Sequence, residues 1–267
     1  TVSSSIGYSA EELMGKTFAS VFGQKNMRIL MEKLVPDHDH YPPIKNEEIW
    51  LTTLANISLC IRIHASPYFD GNVFEGYRGT ARDITQTRND EERMVRLANK
   101  DPLSGLSNRR RFMEDLEREL SISKRQNMNG ALLLIDLDHF KLVNDTSGHA
   151  AGDEVIIQVS GLLRKMSRDT DLVARLSGAE FVIAFTNTDV KHVLERANEL
   201  LLKINQLKPC YGGKIVNISA SIGIVTFPEN GTNQNDLLAK ADSAMYAAKE
   251  AGRNCVHIYT ETEQNLQ

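Results

Sequence analysis

The chain is poor in cysteine, in long apolar runs and in excess charge of either sign. Its three cysteines, Cys60, Cys210 and Cys255, are far apart and odd in number, and no Cys-x-x-Cys occurs. A disulfide framework and a zinc knuckle are therefore unsupported, and a reduced, cytoplasmic setting is expected. No apolar run approaches the roughly 20 residues that a membrane-spanning helix needs. No membrane contact is expected from these residues, although an anchor in a longer parent chain is compatible with them. Basic and acidic residues number 31 and 35, for a net charge of -4, which gives no nucleic-acid footprint. Neither GxxxxGK[ST] nor GxGxxG appears, which sets aside the P-loop and Rossmann folds.

What is present fills 267 residues, enough for two domains of ordinary size. Ser9 to Gly15 reads as a capped helical turn ended by glycine. Met27 to Leu34 has helical apolar spacing. The loop that follows contains His38-Asp39-His40, a pair able to chelate a metal but better read as a solvated loop. Three strand-like runs come next, Glu48 to Leu54, Ile57 to Tyr68 and Tyr77 to Ile84, with Asp70-Gly71-Asn72 as a turn. Short helices before an antiparallel meander make an α+β sensor-type domain. Gln86 to Lys100 is charged, lacks Gly and Pro, and reads as a connecting helix, which Asp101-Pro102 ends.

The second half alternates strand and helix signals: a helix from Asn108, a buried strand Ala131 to Leu137, a helix Asp153 to Met166, a hairpin, a helix Val190 to Leu207, a strand Ile215 to Phe227, a helix Asp236 to Ala251, and a last strand from Val256 to Tyr259. The expected order is β-α-β-β-α-β-α-β, a mixed sheet with helices packed on it. Such palm-like domains present strand ends and hairpin tips to a phosphate-bearing substrate. Asp136 and Asp138 stand at the exit of the buried strand, and one of the pair is expected to face the cleft. The hairpin tip, Ser177-Gly178-Ala179-Glu180-Phe181, brings Glu180 toward the same point. Magnesium favours a few carboxylate oxygens completed by substrate phosphates, so the pattern suits phosphoryl transfer.

Two resemblances sharpen this reading. Residues 1–85 resemble the PAS family, through Gly7-Tyr8-Ser9-Ala10-Glu11-Glu12-Leu13-Met14-Gly15 and through a last strand closing on Asp83-Ile84-Thr85. That family's first two strands would lie upstream of Thr1, so the copy reads as truncated at its N-terminus, with an unassigned ligand. Residues 101–260 resemble the GGDEF family of diguanylate cyclases. The carriers are Asp101 to Arg110, Asp136 to Asp145, Gly148-His149 with Gly152-Asp153, Arg175 with Ser177 to Phe181, Ser221 to Ile224, and Ala241 to Tyr246 with Lys249, Gly252, Arg253 and Asn254. Residues 86–100 would be a signalling helix between the two domains, and 261–267 a polar tail or linker.

The second resemblance implies a dimer that condenses two GTP molecules into cyclic di-GMP with magnesium or manganese. Asp136, the Leu137 carbonyl and Glu180 would hold metal. Asn144 and Asp153 would read guanine: a carboxylate accepts from its N–H donors, while an amide both donates and accepts. Phe140 and Lys141, in the turn after the first strand, would lie against the phosphates, with Lys249 and Arg253 neutralising the phosphate tail. Arg168 and Asp171, as Arg-x-x-Asp before the hairpin, would form the product-inhibitory site. The family places an acidic residue at the third tip position, where it binds metal and helps activate the attacking hydroxyl. Here that position is Ala179. The expectation is retained nucleotide binding with cyclase activity severely reduced. An inactive GTP- or cyclic di-GMP-binding regulator of a downstream domain, such as an EAL phosphodiesterase, is the competing reading.

Overall fold

A computed structural model describes residues 10–26, 28, 41–52 and 56–261. The His38-Asp39-His40 pair and nearly all of the Met27–Leu34 segment lie outside them. The chain divides into two compact units, Thr1–Val95 and Arg96–Gln267.

In the first unit, the short helices α1 (Ala10–Leu13) and α2 (Phe18–Phe22) precede a three-stranded antiparallel sheet in the order β1 (Ile44–Thr52), β2 (Ser58–Asp70), β3 (Val73–Asp83). Val21, Ile44, Ile49, Leu51, Leu59 and Ile61 form its core. Helix α3 (Thr85–Asn99) begins where Asp83 accepts from the Thr85 amide and hydroxyl, at 2.9 and 2.6 Å. The Thr85 hydroxyl also accepts from the Cys60 amide at 2.9 Å. Glu48 of β1 binds both Arg62 and, on α3, Arg88. These two arginines hold the Glu48 carboxyl below its ordinary range, the Arg62 hydrogen bond being the larger cause.

The second unit is built on a five-stranded sheet ordered β10-β9-β4-β6-β5. Its elements are α4 (Arg109–Gln126), β4 (Gly130–Leu137), α5 (Phe140–Ser147), α6 (His149–Met166), β5 (Leu172–Ser177), β6 (Glu180–Thr186), α7 (Val190–Gln206), a small hairpin β7 (Cys210–Tyr211) and β8 (Lys214–Ile215), then β9 (Ala220–Phe227), α8 (Gln234–Glu250) and β10 (Val256–Ile258). Among the described strands of this sheet, only β10 and β9 pair in parallel. Side chains alternate along β4. Leu133, Ile135 and Leu137 meet α6 and α7 on one face, while Leu132 and Leu134 meet α4 and α8 on the other. With both faces covered, a continuous apolar run suits the central strand. Asp136 continues the even-numbered row and so falls on the α8 side.

The structure adds α5 and the β7–β8 hairpin to the expected order, and it starts α8 two residues earlier, after the Asn233 cap. Among the described residues no helix is long and apolar enough to cross a membrane.

Candidate nucleotide site at the β4 strand end

The end of β4 is where the polar residues converge. In the antiparallel ladders Asp136 stands opposite Glu180 of β6 on one side and Ser221 of β9 on the other. Directly paired carboxylates repel each other. Burial pushes the Asp136 carboxyl above the usual range; Lys249 opposes this by hydrogen bond and charge, while the charges of Glu180 and Asp138 add to it. Lys249 reaches Asp136 from the last turn of α8, its Nζ 3.1 Å from Oδ1.

Lys249 can do so because α8 lies flat on β9. A Cβ on Gly223 would stand 2.2 Å from the Ala241 carbonyl oxygen and 2.3 Å from the Met245 nitrogen, so only glycine permits this approach. Arg253 follows in the turn after α8, exposed, with its amide bonded to the Ala248 carbonyl and its side chain without a partner among the described residues.

The β5–β6 hairpin turns through Gly178 and Ala179. Arg175 braces the turn, donating from Nε and Nη2 to the Gly178 carbonyl at 2.9 and 2.7 Å and from Nη1 to Asp101 at 3.0 Å. The Ser177 hydroxyl donates to Glu180 at 2.6 Å. Ala179 contributes its carbonyl, which accepts from the Leu137 amide at 3.3 Å, and a methyl group packed at the edge of the core.

A divalent cation fits the Asp136–Glu180 pair, because it would relieve the repulsion between two facing carboxylates, one of them half-desolvated. Among the described residues no cluster of three His, Cys, Asp or Glu side chains is placed to hold a metal. The remaining ligands would come from backbone, water and phosphate, as magnesium prefers.

Asn144 on α5 and Asp153 on α6 carry side chains with no hydrogen-bond partner among the described residues. Gly152 provides the bare surface against which Asn144 lies: a Cβ there would stand 1.9 Å from Asn144 Oδ1. Phe140 and Lys141 open helix α5 instead of lying in the turn, which Asp138 and His139 make. The Phe140 ring packs against the core, so its own offer to an anion is the backbone of the helix's first turn. Lys141 is exposed, and its side chain has no partner among the described residues.

The Arg168–Asp171 pair divides its labour differently from the expectation. The Asp171 side chain is 1% exposed and already occupied. It accepts from the Arg168 amide at 2.9 Å and from Arg196 at 3.0 Å. Arg168 alone presents a free side chain, at a cleft of about 710 Å³ shared with Asp189, His192, Glu195 and Arg196. Arg196 also stacks 3.8 Å over the Phe185 ring. Nothing local in the sequence pairs this α7 arginine with Asp171. Asp138, the other strand-end carboxylate, is buried and accepts from Ser219, Ser221 and the Asn254 amide, partners that the sequence does not indicate.

The diguanylate cyclase, GGDEF domain profile matches residues 98–255. The chain is 33% identical over 177 residues to the probable diguanylate cyclase DgcE of Escherichia coli K12, covering 66% of this chain and 16% of the relative. It is 36% identical over 179 residues to the cyclic di-GMP phosphodiesterase PdeR of the same organism, covering 67% of this chain and 26% of that one. The chain thus spans about a quarter or less of these relatives. In structure it is similar to the coiled coil and GGDEF domain of DgcB from Caulobacter crescentus in complex with c-di-GMP, with a TM-score of 0.60 and 28% identity over 66% of this chain and 93% of that one. A mixed sheet covered by helices on both faces, with a carboxylate pair at its central strand end, is thus found with the matching sequence profile, and over residues 98–255 the chain belongs to the diguanylate cyclase, GGDEF domain family.

Proposed function

We propose that residues 101–260 form a GTP-docking domain whose cyclase activity is severely reduced, and that residues 1–85 are a PAS-like sensor acting on it through the helix between them. The observation that carries this is the Asp136–Glu180 pair with Lys249 against it, beside a turn whose Ala179 offers only a methyl group. In this reading Asn144 and Asp153 take the guanine edge. Lys141, Arg253 and Lys249 take the phosphates, with the α5 N-terminus at Phe140. Asp136, Glu180 and the Leu137 carbonyl would hold Mg²⁺ or Mn²⁺, which would neutralise phosphate charge.

Without an acidic residue at 179, the cation lacks a carboxylate beyond Asp136 and Glu180, and the attacking 3′-hydroxyl lacks the group that would help activate it. Groups merely outside a metal's coordination sphere are worth about 10–100-fold in affinity or activity, so a direct ligand should count for at least that. The family resemblance implies a homodimer as the competent form, each subunit presenting one of the two nucleotides.

The test compares this chain with Ala179→Asp, each incubated with GTP and Mg²⁺ and resolved by nucleotide chromatography. Cyclic di-GMP from the variant alone is expected; rapid turnover by the parent sequence overturns the reading.

A second reading is favoured by the free Arg168 side chain at its cleft. There the domain is a cyclic di-GMP receptor that regulates a partner domain, such as an EAL phosphodiesterase. One similar structure holds c-di-GMP and one relative is a phosphodiesterase. Arg168→Ala should then abolish cyclic di-GMP binding in calorimetry, and unchanged affinity excludes it.

A further inference from the structure

Asp138 is the most heavily engaged carboxylate near the site, and none of the roles proposed above uses it. Its residue is 6% exposed. Oδ1 accepts from the Ser221 hydroxyl at 2.7 Å, and Oδ2 accepts from the Ser219 hydroxyl at 2.7 Å and from the Asn254 amide at 3.1 Å. Its own amide donates to the Ser219 carbonyl at 2.9 Å. One buried side chain thus joins three separate segments: the exit of β4, the start of β9, and the turn that follows α8.

That turn is unusual. Arg253 and Asn254 both have left-handed backbones, at φ of 65° and 48°. Successive non-glycine residues in this region are costly and persist only where surroundings hold them. The Asp138 carboxylate supplies a charge-assisted bond to the second of them, at its backbone. The Arg253 amide is meanwhile tied to Ala248 and the Cys255 carbonyl to Ile222. The turn's course, and therefore where Arg253 starts, is set by a residue two positions beyond Asp136 in the sequence.

We propose that Asp138 is a positioning residue: it fixes the Arg253–Asn254 turn so that the phosphate-binding cations of the α8 end face the carboxylate end of β4. This rests on the reading that Lys249 and Arg253 receive phosphate. A buried carboxylate surrounded by donors would also serve ordinary folding, so the discriminating quantity is the ratio of GTP to guanosine affinity. Guanosine docks through Asn144 and Asp153 and carries no phosphate.

The experiment is an NMR titration of the full chain with GTP and with guanosine. Asp138→Ala is expected to weaken GTP about tenfold, the lower end of what positioning groups around a site contribute, and to leave guanosine unchanged. Asp138→Asn is expected to retain most GTP affinity. Its amide oxygen can still accept from Ser219 and Asn254, and the Ser221 hydroxyl can turn to accept from its NH₂. Should Asp138→Ala not fold, Ser219→Ala carries the test, removing one donor; a several-fold loss confined to GTP is expected. A loss shared equally by both ligands, or an unchanged ratio, overturns the positioning role while the docking reading stands. If the parent chain binds guanosine but gains nothing from the triphosphate, the phosphate assignment itself fails, and this role with it.

Discussion

Asp136 and Lys249 come from opposite halves of the second unit's sequence and meet at 3.1 Å, on the face of β4 that α8 covers. The contact is half-shielded, with side-chain exposures of 28% for Lys249 and 19% for Asp136. Even so, burial wins over attraction and Asp136 remains harder to ionise than a free aspartate.

That balance predicts how Asp136 affects stability with pH. A group whose folded pKa is raised binds its proton more readily when folded, so it destabilises the fold once ionised. Asp136→Asn should therefore raise the melting temperature at neutral pH. The advantage should shrink as pH falls through the raised Asp136 value, where the carboxyl takes up its proton and sheds the penalty. Calorimetric melts across that range check this; a lower melting temperature for the variant at neutral pH contradicts it.

Asp101 behaves in the opposite sense. Burial pushes its carboxyl up, but hydrogen bonds from the Ser104 side chain and backbone, together with Arg175, outweigh burial and hold it below the ordinary value. Its contribution is thus fully present above the unfolded aspartate pKa of about 3.9 and is lost as pH falls through the lower folded value. Asp101→Asn should cost about 1–3 kcal/mol at neutral pH, the range for leaving charged hydrogen-bond partners unmet. In strongly acidic solution the two proteins should unfold alike in urea.

Gly223→Ala should be more damaging than its size suggests. The added methyl meets backbone atoms of α8 on two sides, none of which can rotate away. Overpacking of this kind costs about 1–3 kcal/mol or more. Because Lys249 rides on α8, GTP binding should fall with stability. Thermal melts and a GTP titration of the variant measure both.

Gly152→Ala should separate the two effects. Here the obstruction is the tip of the Asn144 side chain, which can swing aside. Gly152 is buried, but the atoms in the way belong to the Asn144 and Phe140 side chains, so the cost should fall below the roughly 1–3 kcal/mol of overpacking against fixed groups. The displaced amide should weaken GTP about tenfold, the equivalent of one lost hydrogen bond, without affecting any weak binding of ATP. Equal losses for both nucleotides would remove Asn144 from the guanine contact.

Much of this was legible in the residues. The run Ala131–Leu137 announced a buried strand, and Ser-Gly before Glu180 announced the hairpin tip. Helix α5 escaped notice because Phe-Lys-Leu-Val-Asn-Asp-Thr-Ser combines β-branched and cap-forming residues of modest helix propensity. It forms where His139 takes a left-handed backbone and α6 offers the bare Gly152. The small β7–β8 hairpin was hinted at by Gly212-Gly213 but merged into the strand that follows. The partners of Asp138 and Asp171 were hidden for another reason. Ser219, Asn254 and Arg196 are brought to them by tertiary folding, and sequence spacing carries no trace of that.

Position 179 is joined to the rest of the domain by its backbone carbonyl, received by Leu137, and by a methyl group at the rim of the core. Neither attachment asks much of the side chain. An exchange of alanine for aspartate there would leave the carbonyl bond to Leu137 in place and alter only a group at the rim of the core, so the sheet and the hairpin can be inherited intact whichever side chain stands at 179.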